Sequence, residues 1–146
     1  GVSFDLLADD SLDSVTVSAD KRKLREAISN LLLNALDAAA SSETTSVKNS
    51  AAGVVRLSAH FDGTDLSIHV IDNGPGIPDE YLPTLFDPFV THKPHGTGLG
   101  LGIARSILNS HSGSISVSTH AEKPETYTDF CLRLPASPAK SEGKTR

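Results

Sequence analysis

Residues 23–40, KLREAISNLLLNALDAAA, constrain this chain more than any other stretch. At about 100° per residue, Leu24, Ile28, Leu31, Ala35 and Ala38 fall on one line along a helix, and Leu32, Leu36 and Ala39 widen that line into a face. A face of this width needs a cover, so the spacing predicts a core helix. Asn30, Asn34 and Asp37 form a second, narrow polar stripe at i, i+4 and i+7. Two amides and a carboxylate held against a core demand hydrogen bonds or a cation, because burying each unpaired costs roughly 1 to 3 kcal/mol.

The cover comes from strands. Residues 54–61 and 66–72 alternate apolar and polar on either side of Asp62-Gly63-Thr64-Asp65, a hairpin signature. Residues 114–119 and 127–134 predict a second hairpin, and residues 2–8 and 15–17 an edge hairpin around the acidic turn Ala8-Asp9-Asp10. Ser18 or Asp20 can cap the central helix, which should fade near Ala40. Residues 41–53 are small and polar without period and read as a loop, and residues 136–146 as a polar tail without fixed structure. A chain of 146 residues, 38% hydrophobic and 5% aromatic with no Trp or Met, fits one domain whose core is Leu, Ile, Val and Ala.

Several classes of function are excluded by composition. A net charge of -5 argues against a nucleic-acid or anionic-membrane surface, and Lys21, Arg22, Lys23 and Arg25 read as the solvated first turns of the helix. Cys131 stands alone, so no internal disulfide forms and a reducing compartment is expected. No apolar run approaches the roughly 18 residues of a membrane span. The first residue is Gly1, which suggests a piece cut from a longer chain.

Three further stretches carry chemistry. An acid at a strand end meets two glycines in Asp72-Asn73-Gly74-Pro75-Gly76-Ile77. Residues 83–98 have no sustained period and read as an excursion over a site. Gly96-Thr97-Gly98-Leu99-Gly100-Leu101-Gly102 feeds directly into a helix carrying Ile103, Ile107 and Leu108, which is anion-binding geometry. The loop fails the Rossmann register, and no Walker lysine and hydroxyl follow it. There is likewise no V-A-I-K or H-R-D set of the eukaryotic type.

Taken in order, Asn30-Leu-Leu-Leu-Asn34-Ala35-Leu-Asp37-Ala38, Asp72-Asn-Gly74-Pro-Gly76, Leu85-Phe86-Asp-Pro-Phe89 and Gly96-Thr97-Gly98-Leu99-Gly100-Leu101 closely resemble the N, G1, F and G2 boxes of bacterial sensor histidine kinases. The resemblance is to their catalytic ATP-binding domain, within the wider superfamily of gyrase, Hsp90-type chaperones and MutL. It implies an α+β fold, a two-layer α/β sandwich of Bergerat type. A mixed, mostly antiparallel sheet would pack on about three helices, with a mobile ATP lid at residues 83–98 and a domain spanning residues 1–135.

The resemblance also implies roles. Asn34 would offer its amide oxygen to Mg²⁺ with Asn30 as second contact, and Asp37 would lie beside them at the cofactor. Asp72 would accept from the exocyclic amine of adenine, sharing a water with Thr128, while Gly74, Gly76 and Ile77 pass close to the base. Gly96, Thr97, Gly98, Leu99, Gly100 and Leu101 would present amides to the triphosphate, with Lys93 as a lid cation. His92 and His95 form an H-x-x-H without an apparent third ligand, so no metal is expected there.

One departure within the superfamily is informative. Members that hydrolyse ATP carry a glutamate where this chain has Asn30, and an amide cannot deprotonate water at neutral pH. Asn30 and Asn34 would therefore serve phosphoryl transfer to a histidine on a separate dimerisation domain, and from there to a response regulator. No such histidine motif lies in this sequence, so the domain is not expected to phosphorylate itself alone. Asp37, where osmosensor-type relatives carry lysine, suggests the nitrogen-regulation or oxygen-sensing style. The domain would be cytoplasmic without touching the membrane, even if its parent protein is membrane-anchored. The alternative is a nucleotide-sensing or partner-docking module of the same fold, separable by a phosphotransfer assay.

Overall fold

The computed structural model describes residues 1–41, 52–122 and 124–140. Its elements in chain order are β1 (Val2–Ala8), a 3-10 helix (Asp10–Ser14), β2 (Val15–Thr16), α1 (Lys21–Ser41), β3 (Gly53–Phe61) and β4 (Asp65–Asp72). A second 3-10 helix (Asp79–Thr84), α2 (Gly100–Ser110), β5 (Ser114–His120), β6 (Tyr127–Pro135) and β7 (Ser137–Pro138) follow. Five strands form one sheet in the order β1-β3-β4-β6-β5. All its pairs are antiparallel except β1 with β3.

Alternation decides which face is covered. On β6, Thr128, Phe130, Leu132 and Leu134 are buried while the residues between them are not. These meet Ala27, Leu31, Ala35 and Ala39 of α1 and Ala104, Ile107 and Leu108 of α2 in one core, joined by Val55 and Val70. Three alanines on the buried line let α1 approach the sheet closely. The face is centred on this i, i+4 series rather than on the line through Ala38, and Leu36 is left 38% exposed. The other face of the sheet carries His69, whose Nδ1 lies 3.0 Å from Asp129 Oδ2 and whose Nε2 lies 3.6 Å from Cys131 Sγ. Burial pushes the Cys131 thiol up.

Both expected internal hairpins form, and Asp20 caps α1 by accepting from the N–H groups of Arg22 and Lys23 at 3.0 and 3.1 Å. Those bonds, Lys23 first, hold its carboxyl below the usual range. His111, at the end of α2, accepts from the Asp20 N–H on Nε2 and donates from Nδ1 to Ile107 O, so it ties the start of α1 to the end of α2.

Two expectations are corrected. Residues 2–8 and 15–17 do not form an edge hairpin: β1 runs parallel to β3, from Val2 opposite Gly53 to Ala8 opposite Ala59. Asp9 accepts from Ser11 N–H and caps a 3-10 turn instead of closing a two-strand bend, and α1 serves as the crossover that parallel pairing requires. The tail is not wholly without structure either, because Ser137 and Pro138 pair with Thr16 and Val15, and Ala139 N–H donates to Ser14 O. Two α-helices and two 3-10 helices stand among the described residues, where about three helices were expected. Most of the loop expected at residues 41–53 lies outside the described residues, as does the end of the tail. No helix among the described residues is long and apolar enough to cross a membrane.

Candidate functional site

A cleft of about 480 Å³ opens between α1, the end of β4, the second 3-10 helix and the start of α2. Its wall includes Asn30, Asn34, Asp37, Asp72, Gly76, Ile77, Lys93, Gly96, Thr97, Gly98, Gly100, Leu101 and Thr128, which the sequence placed at one site. Gly74 stands directly behind Asp72, and Leu99 immediately precedes α2.

At the inner end, Asp72 is the last residue of β4 and lies opposite Thr128 of β6, with 1% and 3% exposure respectively. Asp72 Oδ1 accepts from Gly74 N–H at 2.9 Å. Its other oxygen, Oδ2, is buried without a partner among the described residues. Burial is the main reason that its pKa rises from 3.8 to about 6, against the opposing effects of the Gly74 N–H and Lys93. An acceptor held dry and unmet at a cleft wall fits a ligand that brings an N–H or O–H donor.

The turn after Asp72 is tied down by threonines that sequence reasoning missed. Ile77 N–H donates to Thr119 Oγ1 at 2.8 Å, and Thr119 donates to Tyr127 O at 2.9 Å. With that proton committed, Thr128 Oγ1 donates to Thr119 Oγ1 across 3.2 Å. Thr126 Oγ1 donates to Gly74 O at 2.6 Å. The signal was available in the register, since a hairpin between residues 114–119 and 127–134 can place two threonines opposite each other. Gly76 has φ of +75°, and a Cβ there would run into the His120 carbonyl, so the tight bend demands glycine.

At the outer end, the polar stripe of α1 finds its cation. Lys93 Nζ donates to Asn34 Oδ1 at 2.8 Å and to Asp37 Oδ2 at 3.3 Å. Asn30, one turn earlier, faces Gly100 across the gap to α2. Lys93 belongs to residues 85–99, which carry neither helix nor strand. Within that segment Gly98 turns with φ of +71° against Phe89, and its carbonyl accepts from Phe89 N–H at 3.0 Å. Tyr81 and His92 stack at the same mouth, centroids 3.5 Å apart.

The glycine loop divides between segment and helix. Gly100 opens α2, whose N-terminus has no side-chain cap, so its first-turn amides face the cleft without a capping acceptor. The polar groups of the cleft thus run from an unmet carboxylate acceptor through two side-chain amides to the amide donors of a helix N-terminus. Two hard oxygens, Asn34 Oδ1 and Asp37 Oδ2, already hold a cation, which fits a divalent metal held by Asn34.

The family model described as histidine kinase-, DNA gyrase B- and HSP90-like ATPase matches residues 19–138. Nitrogen regulation protein NtrY of Azorhizobium caulinodans is 39% identical over 103 residues, covering 70% of this chain and 13% of its own length. Sensor histidine kinase ZraS of Escherichia coli is 34% identical over 121 residues, 83% of this chain and 23% of its own length. The chain therefore spans less than a quarter of either curated relative. Among solved structures, the catalytic domain of histidine kinase ThkA superposes with a TM-score of 0.70 at 30% identity, covering 92% of this chain and 78% of that one. Full-length ShkA in complex with AMPPNP gives a TM-score of 0.74 at 26% identity, covering 97% and 27%.

Proposed function

The chain belongs to the histidine kinase-, DNA gyrase B- and HSP90-like ATPase family, and we propose that it is a histidine kinase catalytic domain. In this reading it binds Mg²⁺-ATP and delivers the γ-phosphoryl group to a histidine on a separate dimerisation domain, from which a response regulator is served. The observation that carries the reading is the buried, unpartnered Oδ2 of Asp72 at the cleft wall. A carboxylate there accepts from the exocyclic amine of adenine and cannot accept from the carbonyl of guanine, so adenine is selected. Thr128, whose proton goes to Thr119, keeps its lone pairs for the base or for a water shared with Asp72.

The remaining groups hold the phosphates. Main-chain amides of residues 96–101, ending at the uncapped start of α2, receive the anionic tail, and Lys93 adds a cation from the lid. When bound, Mg²⁺ would neutralise charge on the phosphate oxygens, with Asn34 Oδ1 as its protein ligand. Asn30 holds the place one turn before and cannot take a proton from water, so the cleft positions ATP for an outside acceptor rather than for hydrolysis. Little covalent chemistry is asked of these residues, and catalysis is mainly alignment of the γ-phosphoryl group with the acceptor imidazole.

Calorimetric titration of a non-hydrolysable ATP analogue with Mg²⁺, with the GTP analogue as control, tests the binding step. Saturable, adenine-selective binding is expected. Its absence, or equal binding of the guanine nucleotide, would refute the reading. Labelled ATP mixed with this domain and the dimerisation domain of its own parent protein then tests transfer.

A further inference from the structure

Tyr81 and His92 have no place in the nucleotide reading so far, yet both line the mouth of the cleft. Their rings are nearly parallel, 15° between planes. Tyr81 is carried by the 3-10 helix Asp79–Thr84, whose next turn places Leu85 and Phe86 against the core. His92 immediately precedes Lys93, and the Lys93 N–H is held in turn by Thr91 Oγ1 at 3.2 Å. Backbone and ring together fix the segment at the residue from which the ammonium reaches α1.

That ammonium rests on Asn34 Oδ1 and Asp37 Oδ2. A divalent cation on Asn34 would need the same amide oxygen at a shorter distance, and a second positive charge cannot share it. We propose that Tyr81 and His92 are positioning residues that seat the Lys93 ammonium on Asn34 and Asp37, making it an exchangeable occupant that a divalent cation must displace. This rests on the reading of Asn34 as the metal-bearing asparagine. Lys93 and Asp37 are 41% and 70% exposed, so solvent screens their pair and the exchange is easy. The displaced lysine, still hinged at the stacked His92, is free to turn toward the anionic tail of the nucleotide.

Mn²⁺ added to the domain without nucleotide is the probe, read as paramagnetic broadening of the backbone amides around position 34 in the NMR spectrum, a signal that every variant retains. Lys93→Met, which removes the competing charge but keeps the stem, is expected to bind Mn²⁺ about fivefold more tightly than wild type. Tyr81→Leu is expected to shift affinity the same way by about twofold, and Lys93→Arg to leave it near wild type. Unchanged or weaker Mn²⁺ binding in Lys93→Met, or broadening in neither protein, overturns the displacement. Asn34→Ala separates the two readings. If it loses Mn²⁺ while Lys93→Met matches wild type, displacement alone fails. If Asn34→Ala binds as wild type does, the assignment of the cation to Asn34 fails first.

Discussion

The two ends of the cleft are built on opposite terms. At the inner end, Asp72 and Thr128 sit on one rung of the sheet, almost wholly buried, where two strand ladders fix them. At the outer end, Lys93 and Asp37 are well exposed and meet across an ion pair between a helix and a segment with no regular structure. The inner end holds an acceptor that the protein does not satisfy, and the outer end holds charges that the protein satisfies cheaply. Selectivity belongs where water is excluded and an unmatched group is costly. Exchange belongs where screening keeps each contact weak.

The largest effect expected from this contrast is at Asp72. Asp72→Asn puts an amide donor against the adenine amine and should weaken binding of the ATP analogue by at least about 100-fold, measured calorimetrically. The same change should stabilise the fold. Folding raises the Asp72 pKa from 3.8 to about 6, so ionisation costs roughly 3 kcal/mol at neutral pH. That cost is nil below pH 3.8, grows as pH rises to about 6, and is then constant. Denaturant unfolding should therefore show Asp72→Asn more stable than wild type at pH 7, with the gap closing toward pH 4. No gain at pH 7 would mean that the buried carboxylate is better solvated than its surroundings imply.

A second effect follows in the wild type. Protonated Asp72 no longer offers a charged acceptor, so nucleotide affinity should fall as pH drops through about 6, approaching tenfold per pH unit. In Asp72→Asn that dependence should vanish. A smaller effect is expected at Thr128→Val, roughly fivefold in affinity, because it removes one hydroxyl and the bond that this hydroxyl gives to Thr119. Smallest is Asp37→Asn, which should change unfolding free energy by less than about 0.5 kcal/mol. If Asp37→Asn shifted the unfolding free energy by as much as Asp72→Asn does at pH 7, the contrast between the two ends would collapse.

Most of the inner end could be read from the sequence. Alternation in residues 66–72 puts Asp72 at the end of a strand, and the glycines after it mark the bend. The stripe of Asn30, Asn34 and Asp37 was legible as a polar seam needing hydrogen bonds or a cation. Lys93 as that cation was not legible from spacing, because a pairing across 59 and 56 residues through an aperiodic segment leaves no local signal. Thr119 and Thr126 were missed because their roles depend on how β5, β6 and the turn after β4 come together. The edge hairpin failed for a related reason. Alternation in residues 2–8 announces a strand but is silent about its partner, and the local turn chemistry of Asp9 favoured a helical turn.

The parallel pairing of β1 has a consequence for the order of assembly. Its first rung joins Val2 to Gly53, whereas β3 meets β4, and β5 meets β6, through short connections. Closing a loop of that size costs more chain entropy than closing a hairpin, so β1 is expected to dock after the hairpins and after α1 has formed. As an edge strand with Phe4, Leu6 and Leu7 all more than half exposed, it is also the least buried strand of the five-stranded sheet. Asp72 lies on β4, separated from β1 by β3, and its hydrogen bond comes from Gly74. This edge strand is therefore expected to loosen and re-form while the Asp72 end of the cleft keeps its shape.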